Sequence, residues 1–342
     1  MKKLGKILLF LFIFILLEKL LEFIIVPVSY KHFISKDMKN VISERGNVDM
    51  MAIGDSMIGT SLVPQIFESE IPGVSLFFNA ASFEQSSDGS YYYLKDLLSR
   101  YTPKYIILGV DMPMFDDDRL SMKQEWERIK NPLVKAECFI EDIGIMKSLE
   151  YFPLYRYKSF VRNVPENLSI KLSKNYWNGI DTRSGEHYIS QGYIGKDEPI
   201  EAKYIDDVTI WVMKDECEIQ KSVAYFNRII EMCNDKEIKV FMVANPIMSK
   251  AVLDRSDYDE RMKPFLDIAA HNNVPLVDMS LYKERETCYP DAYFHDYDHM
   301  TMFITESYSK ELCNVINRQL NNEDVSELFW DSAEAWRESI CH

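Results

Sequence analysis

The chain has 342 residues, 47% of them hydrophobic, which is enough to bury one large core or two modest ones, and we expect one enlarged domain with appendages. A formal net charge of -15 and a pI near 5.0 leave no broad basic surface to track phosphates, so nucleic acid is excluded as an expected partner.

At the N-terminus, Lys2, Lys3 and Lys6 precede an apolar run from Ile7 to Leu17, and no small-x-small cleavage site follows. This pattern predicts a retained signal anchor over residues 1–28, a single-pass membrane helix. With the lysines on the cytoplasmic side, everything after Val28 is expected outside the cytoplasm, at the cell membrane. The run spans only about 16 Å at ~1.5 Å per residue, against roughly 30 Å of hydrocarbon, so a crossing has to include Glu18, Lys19 and Glu22. Those three form a narrow polar stripe that faces either a protein partner or the headgroups.

Residues 29–47 read as a polar, helix-prone connector. From residue 48 to 320, short apolar runs alternate with amphipathic stretches. The expected elements are strand 50–53, helix 61–70, strand 74–79, helix 87–101 and strand 105–110. The alternation resumes with helix 216–234, strand 238–244, helix 257–272, strand 274–277 and helix 301–320. Such alternation with near-continuous apolar strands predicts a five-stranded parallel sheet covered on both faces. Between about 116 and 215 it stops, and an aromatic-rich insertion is expected to cover the strand ends. Its aromatic run Tyr151–Phe160 is either core and lid or a platform for stacking sugars. Residues 321–342 form an acidic tail, expected to carry a peripheral helix. The six cysteines are widely spaced, with no C-x-x-C and no His/Cys cluster at metal-ligand spacing, and no glycine-rich phosphate loop is present. Neither metal nor cofactor is expected.

Gly54-Asp55-Ser56 places a serine at the carboxyl end of the first strand, where α/β proteins put nucleophiles and anion sites, and where serine also caps helices. A nucleophilic serine needs a base. Asp296-Tyr297-Asp298-His299 precedes the final helix, so His299 can reach the serine across the carboxyl edge of the sheet while Asp296, or the neighbouring Asp298, orients its imidazole.

Gly54-Asp55-Ser56 together with Asp296-x-x-His299 resembles the SGNH (GDSL-type) hydrolase superfamily, over roughly residues 49 to 320. The N-terminal segment, the insertion and the Tyr-Phe-x-Asp-x-x-His form are most similar to its membrane-anchored bacterial branch, which includes the DltD proteins and partners of membrane-bound O-acyltransferases. The resemblance implies a flavodoxin-like three-layer α/β/α fold, with Ser56 as nucleophile, His299 as base and Asp296 as its carboxylate. The second signature block falls at 78–83 without its glycine, and the third at Gly109-Val110-Asp111-Met112 without its asparagine. The oxyanion donors are then expected from the Ser56 N–H and from Asn79 or the Ser82 backbone. The implied function is a serine esterase or acyltransferase acting on O-acyl groups, of acetyl or D-alanyl type, on a cell-envelope polysaccharide or acylated carrier. The alternative is a non-catalytic accessory subunit of a membrane-bound O-acyltransferase.

Overall fold

The computed structural model describes residues 2–115, 125–182, 186–197 and 216–340. Its centre is a sheet of β1 (Met50–Ile53), β2 (Phe77–Asn79), β3 (Tyr105–Val110), β6 (Lys239–Ala244) and β7 (Leu276–Asp278). A separate hairpin of β4 (His187–Ser190) and β5 (Tyr193–Gly195) lies in the insertion. The five strands are parallel in the order β2-β1-β3-β6-β7. Every residue of β1 and β2 is buried, as a sheet covered on both faces demands. Helices α3 (Ser56–Ser61), α4 (Pro64–Glu70) and α8 (Met302–Leu320) pack together on one side; α5 (Ser87–Leu98), α6 (Glu216–Asn234) and α7 (Tyr258–Asn272) pack on the other. The result is the flavodoxin-like three-layer α/β/α arrangement. Its winding reverses between β1 and β3, so the crevice for a ligand opens at the carboxyl end of β1.

Local chemistry moved some boundaries. The single helix expected over 61–70 is two, because Pro64 lacks the N–H that would continue α3 and instead starts α4 at its first turn. The strand expected from Val74 pairs only from Phe77. Before it, the Asp49 carboxylate takes the N–H groups of Ser75 and Leu76. Cys138, Cys233 and Cys313 are buried free thiols, and Cys288 is a half-buried one; the Cys217 and Cys341 side chains lie outside the described residues.

The membrane anchor is overturned. Helix α1 (Lys2–Ile25) forms, but among the described residues no helix is long and apolar enough to cross a membrane. The reason is charge placement: Glu18, Lys19 and Glu22 sit within the helix, joined by Lys19–Glu22 and Lys19–Glu18 ion pairs of 2.5 and 3.4 Å. The end of α1 is also tied down, since Asn167 Nδ2 donates to Ile24 O and Val26 O, both at 2.8 Å. The single-pass assignment falls, and with it the extracytoplasmic placement that rested on it. Helix α2 (Tyr30–Arg45) follows, its Phe33, Ile34 and Met38 buried in the main core.

The hairpin closes the outer edge of the sheet. Asn79 N–H donates to Gln191 O (2.8 Å), and Gln191 Nε2 donates to Phe77 O (2.9 Å), so a turn does the work of an added strand. Gly192 makes this possible: its φ is +88°, and a Cβ there would lie 1.6 Å from Asn79 O. The parts of the insertion at 116–124, 183–185 and 198–215 lie outside the described residues.

Candidate active site

Asp55, not Ser56, caps α3, its carboxylate accepting from Met57 N–H at 3.0 Å. Ser56 is the first residue of the helix, and its hydroxyl is left for other work. The turn that delivers it is tight: a Cβ on Gly109 in β3 would lie 2.1 Å from Ile58 Cγ1, so glycine at 109 lets the helix sit on the strand end. Gln85 Oε1 accepts from Gly54 N–H (2.9 Å) and pins the turn from below.

Across the carboxyl edge, the segment before α8 folds back on itself, with His295 N–H donating to His299 O (2.7 Å). Asp296 Oδ1 collects three donors: the N–H groups of Asp298 (3.1 Å) and His299 (2.8 Å), and His299 Nδ1 (2.8 Å). His299 Nε2 lies 2.8 Å from Ser56 Oγ, and in the neutral ring, with the Nδ1 proton held at Asp296, it accepts from the Ser56 hydroxyl. The structure thus brings Ser56, His299 and Asp296 into one hydrogen-bonded line. Asp298 joins them, its Oδ1 2.6 Å from the same Nδ1. Asp296, Asp298 and His299 place ligand atoms within 4.8 Å of one another, a set able to hold a metal ion. A metal on the imidazole would have to displace either Asp296 or Ser56 from the ring.

The charges reinforce one another. Burial favours the neutral imidazole, but the Asp298 charge and the bond to Asp296 outweigh it and hold the His299 pKa well above the usual histidine value. Burial likewise opposes the Asp296 anion, yet its bond to His299 and the His299 charge keep it ionised far below the ordinary range. Asp298, more deeply buried, is shifted upward by that burial. Lys196, just past β5, was not anticipated from sequence. Its ammonium is buried, 2.6 Å from Glu186 Oε1 and 3.8 Å from Asp296 Oδ2. Glu186 in turn accepts from the Tyr30 hydroxyl at 3.3 Å.

The expected oxyanion residues have other tasks. Asn79 is wholly buried, its Nδ2 donating to Ile58 O (2.7 Å) and its Oδ1 accepting from Ala81 N–H (3.2 Å). Ser82 N–H donates to Gly54 O (3.1 Å), and its hydroxyl donates to Glu125 Oε1 (2.6 Å). Both residues shape the loop beside the nucleophile, and neither leaves its expected donor open. Glu125 is fully buried between Arg128 (2.6 Å) and Lys31 (3.2 Å); burial would raise its pKa, but these cations, Arg128 foremost, hold it down to about 2. Among the described residues, Gln85 Nε2 is buried without a hydrogen-bond partner, the end of the amide opposite the oxygen that pins Gly54, and Ser87 Oγ nearby in the chain is likewise unpartnered.

No family model matches the chain, and no curated protein matches it. Among solved structures it is similar to an inferred acylhydrolase of Bacteroides fragilis, at 11% identity over 84% of this chain and 94% of that one, with a TM-score of 0.40. It is also similar to the psychrotrophic esterase EstA of a Pseudoalteromonas species, inhibited by monoethylphosphonate, at 10% identity over 80% of this chain and all of that one, again with a TM-score of 0.40.

Proposed function

We propose that the chain is a serine hydrolase or acyltransferase for ester bonds, of the SGNH type. The observation that carries this is the line Ser56 Oγ to His299 Nε2 at 2.8 Å and His299 Nδ1 to Asp296 at 2.8 Å, at the crevice where the sheet reverses its winding. Ser56 attacks the ester carbonyl as His299 takes its proton; His299 then protonates the leaving alcohol. Water or a second hydroxyl resolves the acyl-enzyme, giving hydrolysis or transfer. The Ser56 N–H supplies one oxyanion donor. The substrate class we propose is an O-acylated polysaccharide or acylated carrier, of acetyl or D-alanyl type, with an O-acyltransferase as partner.

A second reading is an accessory subunit that keeps the fold without turnover. It is favoured by the engagement of Asn79 and Ser82 in the scaffold, with Asp111 where an asparagine donor is expected. A fluorophosphonate probe separates the two. The hydrolase reading expects labelling at Ser56 that disappears in Ser56→Ala and His299→Ala. An unlabelled, folded wild-type protein refutes it in favour of the accessory reading.

A further inference from the structure

We propose that the cavity between the end of α1 and the insertion binds a phosphorylated sugar or polyol, a site that stands apart from the hydrolase reading and does not depend on it. The cavity measures about 700 Å³, and its walls include Trp126, Tyr151 and Phe152 together with Lys130, Lys135 and Lys171.

The three lysines are its unusual feature. Lys171 is 4% exposed and its ammonium donates to the carbonyls of Phe23, at 2.5 Å, and Val26. Lys130 Nζ donates to Glu127 O at 2.8 Å. Lys135 Nζ stands 4.9 Å over the Trp126 ring. Among the described residues, none of the three has a carboxylate within ion-pair distance, in a chain where acids outnumber bases 54 to 39. The carboxylates that border the cavity are engaged with other cations: Glu18 and Glu22 with Lys19, and Glu127 with Arg156 at 3.8 Å. Burial lowers the pKa of all three lysines, and Lys130 and Lys19 lower that of Lys135 further, while Glu127 acts in the opposite direction on all three and Asp96 on Lys130 and Lys135. A multivalent oxyanion would give these ammonium groups the close charge partner that none has among the described residues, and a phosphate ester brings several acceptor oxygens on one small group.

The aromatic wall selects what carries the phosphate. Trp126 and Tyr151 meet edge to face, with ring centroids 5.6 Å apart, forming an apolar corner beside the Lys135 ammonium. A sugar ring or polyol chain offers C–H surface to such a corner and hydroxyls to the polar rim. Inorganic phosphate alone would leave the corner empty.

The test is calorimetric titration of the full chain with glucose 6-phosphate, glucose and inorganic phosphate. We expect glucose 6-phosphate to bind at least about tenfold more tightly than either of the others. The Lys130→Gln/Lys135→Gln double variant should lose at least about tenfold in that affinity, Lys130→Arg/Lys135→Arg should keep it, and Trp126→Leu should bring the ester down to the level of inorganic phosphate. Three results each overturn the proposal: no binding of glucose 6-phosphate to wild type, unchanged affinity in the double variant, or phosphate binding as tightly as its ester. Should the double variant fail to fold, Lys130→Gln and Lys135→Gln are titrated singly, and unchanged affinity in both overturns the proposal in the same way. Fluorophosphonate labelling of Ser56 is read separately, so failure of the hydrolase reading leaves this outcome intact.

Discussion

Replacing Asp298 with asparagine tests how the two carboxylates at His299 divide their work. His299 acts as a base only when its proton is off, so the rate falls as pH drops through its pKa. The Asp298 charge stabilises the protonated ring and therefore moves that fall to higher pH. With Asp298 Oδ1 2.6 Å from Nδ1, Coulomb's law at an effective dielectric of ~20 gives about 6 kcal/mol. At about 1.4 kcal/mol per pH unit this is a ceiling of four to five units, and partial exposure of the ring reduces it, so we expect the acid limb in Asp298→Asn to move down by about one to three units. Asp296→Asn should behave differently. Asparagine there donates where Nδ1–H must be accepted, which favours the wrong tautomer, so the rate should fall by about 10³ to 10⁴ across the whole range. The assay is the second-order rate of fluorophosphonate inactivation between pH 5 and 10, with the label mapped to Ser56. An acid limb unmoved in Asp298→Asn, or an Asp296→Asn variant that keeps the wild-type rate while Asp298→Asn loses it, would refute this division.

In the same assay, Lys196→Met removes a cation 3.8 Å from Asp296 and should shift the limb to higher pH, with Lys196→Arg restoring it; a purely structural lysine would lower stability without moving the limb. Glu125→Gln leaves the buried Arg128 and Lys31 without their anion and should cost about 3–5 kcal/mol in urea unfolding. Because the folded pKa of Glu125 is depressed to about 2, its contribution should be complete above its ordinary value of 4.5 and fade as pH falls toward 2, and a stability profile of wild type against Glu125→Gln that stays parallel through that window counts against it. Gly192→Ala would drive a methyl into Asn79 O, so the hairpin must lift off β2; a loss of about 1–3 kcal/mol in thermal unfolding is expected, with raised amide exchange at Asn79.

What the sequence made legible follows periodicity and proximity. The strands at 50–53 and 105–110 and the helix at 216–234 could be read because each is an uninterrupted apolar or amphipathic run. His299 could be paired with Ser56 because both flank the same sheet edge in a doubly wound order. The roles of Asn79 and Ser82 could not be read, because whether an amide is open or engaged depends on Ile58 and Glu125, partners 21 and 43 residues away. Lys196 and Gln191 sit in an insertion with no periodic signal, and only its docking on β2 brings Gln191 to the sheet edge and Lys196 to the site. Apolar composition misleads at the N-terminus, because Glu18, Lys19 and Glu22 inside α1 outweigh the run of leucines and isoleucines that precedes them.

The bond between Ser56 and His299 closes a loop of 243 residues, whereas Asp296 reaches His299 across three. During refolding the acid and base can therefore meet early and locally, while the nucleophile joins them only once all five strands are ordered. A serine-directed probe added at successive times after dilution from denaturant would thus count only molecules whose topology is complete, and its signal should lag behind the return of helical circular dichroism.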